Sequence, residues 1–192
     1  MWRSERTKAL LNNLNNCKYV NEIIIIDNDK KKRPDLSGLS KVLYLPQDEN
    51  IYVNPAWNLG VSISKNDHVC LINDDINMDT NRFFEACFKY GKPAIGMHSS
   101  CWGYQKSPIS LLKCHSLGRG WGCCIFLEKK YWVDIPEQMK IWRGDVWIIK
   151  QYPSVYSMVI KARTEMQTTS SLPEMFDIKQ NDLKYWNENI ID

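Results

Sequence analysis

Four consecutive isoleucines, Ile23-Ile24-Ile25-Ile26, run into Asp27-Asn28-Asp29, and this stretch limits the fold more than any other. β-Branched side chains favour extended backbone, and a strand with no polar residue at alternate positions needs cover on both faces. Helices packed on either side of a central sheet provide that cover, so an α/β architecture follows. The acidic tip matters too, because open α/β sheets bind ligands at the carboxyl ends of their strands.

The pattern recurs at Val69-Cys70-Leu71-Ile72, which ends in Asn73-Asp74-Asp75. Adjacent carboxylates in one cleft repel each other unless a cation sits between them, and hard oxygen donors suit Mg²⁺ or Mn²⁺. A metal carrying a phosphorylated ligand is the functional reading. The plainer one is a turn, with Asp79 or Thr80 capping a helix that begins Asn81-Arg82-Phe83-Phe84.

Between and beyond these strands the periodicities fill in an α/β order. Ala9, Leu10, Leu11 and Leu14 share one side of a helix over 5–16 with Ser4 as its cap, Val42–Leu45 reads as a strand, and 56–64 is helical in period. Ala94–Met97, Gly122–Leu127 and Val155–Ile160 read as strands, Val146–Lys150 as a helix, and the chain closes with a helix near 180–189. The stretch from Pro93 to Trp121 is otherwise irregular. With 192 residues, no internal repeat and no low-complexity linker, one domain is expected.

Composition narrows the function classes. A net charge of +3 lacks the basic excess of a nucleic-acid binder, and Lys30-Lys31-Lys32-Arg33 reads as a solvated loop. Seven unpaired-looking cysteines without zinc-site spacing fit a reducing compartment, and the longest aliphatic run is too short to cross a bilayer. A cytoplasmic protein without direct membrane insertion is the expectation.

Taken in order, Ile23–Asn28, Asn54-Pro55-Ala56-Trp57-Asn58-Leu59-Gly60, Leu71–Asp75, Gly118-Arg119-Gly120-Trp121-Gly122 and Arg143-Gly144-Asp145-Val146-Trp147 resemble the landmarks of family-2-like glycosyltransferases of the GT-A fold. The compact length and the Asn- and Lys-rich composition also look similar to glycosyltransferase domains of large DNA viruses of algae. The resemblance implies a mixed, mostly parallel sheet flanked by helices, with residues 1–90 holding a metal and a nucleotide sugar and 91–192 the acceptor. It implies an inverting transfer from a nucleotide diphosphate donor, with UDP-sugar the usual one, to a hydroxyl of a glycan.

Residue by residue, the resemblance sets Asp27 against the base and Asn58, with Trp57 in place of a common Arg, near the diphosphate. It makes Asp75 the direct Mn²⁺ or Mg²⁺ ligand, with Asp74 near the ribose or completing the shell, because Asn73 stands where the family's first aspartate would be. Asp145 matches the catalytic base, with Gly144 replacing the neighbouring Glu. Trp121, flanked by glycines, is the expected stacking platform among Trp102, Tyr104, Trp142 and Trp147, with Arg119 and Arg143 donating to sugar hydroxyls. His98 and His115 lack paired spacing and are assigned no role.

Two other readings stay open: a nucleotidyltransferase, although no Gly-rich phosphate loop is visible, and a binding module without turnover. Family members also open with a strand whose end contacts the nucleotide, whereas this sequence enters a helix almost at once. Either a segment precedes it or the protein does without that strand, leaving a sheet position that something else should cover.

Overall fold

The computed structural model describes residues 5–28, 34–102, 108–114, 116–164 and 172–190. Ser4, the basic run Lys30–Arg33, Tyr104 and His115 lie outside these. Helix α1 (Glu5–Asn16) leads to strand β1 (Ile23–Asp27), followed by β2 (Val42–Pro46), α2 (Val53–Ile63), β3 (His68–Ile72), β4 (Asn77–Met78) and α3 (Thr80–Tyr90). The second half holds β5 (Ala94–Met97), β6 (Ser110–Lys113), β7 (Cys124–Glu128), α4 (Gly144–Gln151), β8 (Val155–Val159), β9 (Ala162–Arg163) and α5 (Phe176–Asn189).

The core sheet has the order β3-β7-β5-β8-β6, with β1-β2 a separate parallel pair and β4-β9 a short ribbon. The sheet is mixed as expected, but the expectation of mostly parallel pairing is corrected. Among the described residues, β1–β2 and β5–β8 are parallel, whereas β3–β7, β5–β7, β6–β8 and β4–β9 are antiparallel. Burial on both faces produces an unbroken apolar run whichever way the neighbour points, so composition carried no sign of direction.

β7 shows how the two faces are built. Cys124 and Phe126 join a cluster with Leu10, Leu14, Phe83 and Phe84, while Ile125 and Leu127 join Val61, Leu71, Ile148 and Trp186. Alternate side chains of a strand point to opposite faces, so α1 and α3 cover one side and α2, α4 and α5 the other. The expected cap of α3 is present: Asp79 accepts from the Arg82 N–H at 3.0 Å, and Gly91 closes the helix in the left-handed region at φ 54°.

β3 and β7 belong to different halves of the chain yet pair along their whole length, Ile72 with Cys124 and His68 with Glu128. One sheet therefore carries both the acidic turn after β3 and the loops that bring α4 to it.

Candidate functional site

The turn that follows β3 is fixed from below and leaves its acids at the top. Asn73 donates to Cys123 O at 2.9 Å, Ile76 N–H returns to Asn73 O at 3.3 Å, and the Ile76 side chain is fully buried. Asp74 and Asp75 are carried on that turn. Thr7 of α1 donates its hydroxyl to Asp74 O at 3.1 Å, and Thr164 donates to Asp75 Oδ2 at 2.5 Å. Partial withdrawal from water, aided by the adjacent Asp75 charge, holds the Asp74 carboxyl above its ordinary value.

The opposite wall comes from α4. Asp145 lies in its first turn, accepts from the Val146 N–H at 2.9 Å, and packs over Gly122, where a Cβ would approach Asp145 Oδ2 to 3.0 Å. Burial raises the Asp145 carboxyl, with the Arg143 charge opposing the rise. Cys123 reports that the two walls meet, since burial and then the charges of Asp75 and Asp145 push its thiol up to about 12. The three carboxylates thus share one cavity of about 1370 Å³, with Arg119, Arg143 and Trp142 also in its wall.

What holds α4 there is a part of the chain the sequence motifs did not mark. Asp182 of α5 is fully buried and accepts three backbone N–H groups, from Lys140 at 2.8 Å and from Ile141 and Trp142 at 2.7 Å each. Buried Asn54 clamps the same loop from α2, donating Nδ2 to Met139 O at 3.1 Å and Trp142 O at 3.3 Å. Gly144 has to be glycine for this, because a Cβ would stand 2.1 Å from Asn54 Oδ1. Glycine at position 144 therefore has a packing cause. Asn54 opens one of the motif segments of the sequence, whereas Asp182, a single polar residue in a helix, carried no signal there.

Two non-glycine residues in the cavity wall have positive φ: Tyr52 at 65° and Arg143, in the left-handed helical region, at 58°. Such residues are uncommon, and the surrounding structure must hold them in place. Arg143 Nε is buried without a hydrogen-bond partner, and its guanidinium lies 5.1 Å over the Trp186 ring.

Among the expected site residues, Asp74, Asp75, Arg119 and Asp145 line this cavity, and Asp27, Asn58 and Trp121 do not. Trp121 is corrected to a core residue: none of its surface is exposed, its Nε1 donates to Tyr156 O at 3.2 Å, and its ring fills the space where a Gly96 Cβ would lie 2.2 Å away. Its glycine neighbours serve packing. Asn58 spends both ends of its amide on Ile135, donating to its carbonyl at 2.8 Å and accepting from its N–H at 2.9 Å. Asp27 is buried at the strand tip and accepts from the Tyr44 hydroxyl at 2.7 Å, while the next residue, Asn28, reaches the cavity wall. Trp147 and Trp102 brace loops through Val133 O and Arg119 O. His98, bonded to Ser100, lies outside the wall.

The donor set suits a cation held by one or two carboxylates and completed by ligand oxygens and water, the manner in which Mg²⁺ meets phosphates. Among the described residues no three His, Cys, Asp or Glu side chains form a closed cage. All seven cysteines are free thiols, and among the described residues no helix is long and apolar enough to cross a membrane.

Neither a protein-family model nor a curated protein matches the chain. Solved structures do. HddC from Yersinia pseudotuberculosis is 17% identical, with 92% of this chain and 84% of its own covered at a TM-score of 0.51. HddC from the same organism complexed with GMP-PN is 18% identical over 79% of this chain and 70% of its own, at a TM-score of 0.44. The first likeness is one of fold, and it supports the α/β assignment.

Proposed function

We propose that this protein is a metal-dependent glycosyltransferase that moves a sugar from a nucleotide diphosphate donor, of which a UDP-sugar is the first to test, to a hydroxyl of a glycan, with inversion. One observation carries the reading: Asp74 and Asp75 at the carboxyl edge of the sheet share a cavity with Asp145, which reaches it from a separate helix. The likeness of the five motifs to family-2-like glycosyltransferases adds to it.

Asp75, with Asp74 beside it, would hold Mn²⁺ or Mg²⁺. When bound, such an ion neutralises charge developing on a leaving diphosphate. Asp145 accepts the proton of the acceptor hydroxyl as that oxygen forms its bond to the sugar's anomeric carbon. The bond from that carbon to the diphosphate oxygen breaks, and the nucleoside diphosphate departs with the bonding pair. Burial raises the Asp145 carboxyl from its ordinary value and makes it a stronger base than a solvated aspartate. Arg143, with its unpartnered Nε in the wall, and Arg119 are suited to anionic ligand oxygens.

The test is turnover of a panel of nucleotide diphosphate sugars with and without Mn²⁺, comparing the native chain with Asp75→Ala. Metal-dependent release of nucleoside diphosphate, lost by at least about a hundredfold in the variant, is expected. Equal turnover in the two proteins sinks the metal assignment. Release of pyrophosphate from a nucleoside triphosphate and a sugar phosphate would instead identify a nucleotidyltransferase, and binding without any turnover a recognition module.

A further inference from the structure

The wall that carries Asp145 also carries a cation in an unusual state. Arg143 Nε is buried and has no hydrogen-bond partner among the described residues, and the guanidinium rests 5.1 Å over the buried Trp186 ring. A ring face steadies a cation through its quadrupole but offers no oxygen to the five N–H donors of a guanidinium. The position is imposed from both sides. Trp142 N–H is accepted by Asp182 at 2.7 Å, Trp142 O accepts from Asn54 Nδ2 at 3.3 Å, and Gly144 has no room for a Cβ beside the same Asn54. Between them Arg143 holds φ 58°, and its own carbonyl accepts from Trp147 N–H at 2.9 Å. Glycine adopts that backbone at no steric cost, so a long cation there calls for a role of its own.

Which ligand Arg143 meets follows from the wall on which it stands. Its charge bears on the Asp145 carboxyl, two residues further along, and not on Asp74 across the cavity. A base has to lie within hydrogen-bond reach of the hydroxyl it deprotonates, so the molecule that brings this hydroxyl rests against the same wall. The diphosphate belongs to the facing wall, with the acids of the β3 turn. Lys179 adds a second positive charge on the Arg143 side, 3.7 Å over the Trp142 ring. The Asp182 carboxylate there is already taken up by three backbone N–H groups.

We propose that Arg143 binds an anionic substituent, a carboxylate or a phosphate, on the sugar that presents its hydroxyl to Asp145, so that the acceptor is an acidic glycan. This rests on the transferase reading above and narrows its acceptor. A guanidinium presents paired donors in a fixed fork that matches either group two oxygens at a time, which an ammonium does not. The anion completes the donor set that the Trp186 ring leaves open, and it orients the sugar by a second point beside the base.

Binding of matched glycosides tests this without any need for turnover. Methyl glucuronide, a phosphorylated methyl glucoside and the neutral methyl glucoside are titrated by ligand-observed NMR, with and without UDP and Mn²⁺. The proteins are the native chain, Arg143→Gln, Arg143→Lys and Arg119→Gln, with melting curves to show that each is folded. The native chain should bind one of the charged glycosides about tenfold or more tighter than the neutral one, and which of the two it prefers identifies the carboxylate or the phosphate. Arg143→Gln should erase the preference, and Arg143→Lys, a single charge without the fork, should keep only part of it. Should the Gln variant not fold, the Lys variant decides, since its preference has to fall below the native one. No preference in the native chain, a preference that survives in Arg143→Gln, or one lost in Arg119→Gln alone overturns the proposal. So does a loss of UDP–Mn²⁺ affinity in Arg143→Gln as large as the loss of the charged glycoside, which would assign the arginine to the donor. A preference that depends on Arg143 without turnover of any nucleotide sugar keeps the anion site and removes the transferase reading. Metal-dependent transfer with no preference does the reverse.

Discussion

Asp145 combines two properties that pull against each other. Its carboxyl is raised by burial, so the folded chain is easier to protonate there than the unfolded one, and ionisation at neutral pH subtracts from stability. The subtraction disappears as the pH falls below the ordinary carboxylate range, where the group is protonated in both states. Asp145→Asn keeps an acceptor for the Val146 N–H and should therefore raise Tm at pH 7, with the gain shrinking toward pH 4. The same variant should lose transfer while retaining donor binding. Melting curves across pH, with turnover measured alongside, check both; a lower Tm at pH 7 together with full transfer would remove the assignment. Gly144 gives the complementary case of a residue chosen by its neighbour. Gly144→Ala drives a methyl into Asn54 Oδ1 and should cost about 1–3 kcal/mol in denaturant unfolding.

At the scale of elements, the site depends on α5, which contributes no residue to the described catalytic chemistry. Asp182 holds the 140–142 loop by three N–H groups, and that loop delivers Arg143 and Asp145 to the cleft. Asp182→Ala leaves those three donors without their acceptor and should destabilise the chain by on the order of 3–5 kcal/mol. Asp182→Asn, keeping one acceptor oxygen, should lose less and bind donor more weakly than the native chain. Denaturant midpoints read the first effect and donor titrations the second. The strand and helix positions of α1, β1, β2, α2, β3, α3 and α4 were legible because each is a run of one period bounded by a cap or a turn. β4, β6 and β9 were not, since two to four residues on sheet margins leave no period to read.

For the whole molecule, the cavity joins both halves of the chain, so a ligand that spans Asp75 and Asp145 binds only the folded state. A nucleoside diphosphate with Mn²⁺ at about one hundred times its dissociation constant should add about 2.7 kcal/mol of stability. For a domain of this size that is roughly 5–10 °C in Tm. A thermal-shift series over ligand concentration measures it, and a flat response would remove the cavity as a nucleotide site.

The chain's own order of residues settled that strands with acidic tips would alternate with helices, because apolar period, β-branching and turn chemistry are local properties. Together with the resemblance to family-2-like glycosyltransferases, it also singled out Asp74, Asp75, Arg119 and Asp145, the expected residues that do line one cavity. Tertiary structure alone decided which strands run antiparallel, that Trp121 faces Gly96 and the core, that the Asn58 amide bonds Ile135, that Asp27 accepts from Tyr44, and that Asp182 braces the site. Those outcomes depend on which distant segment arrives at each side chain, and residue type at one position carries no record of its partner.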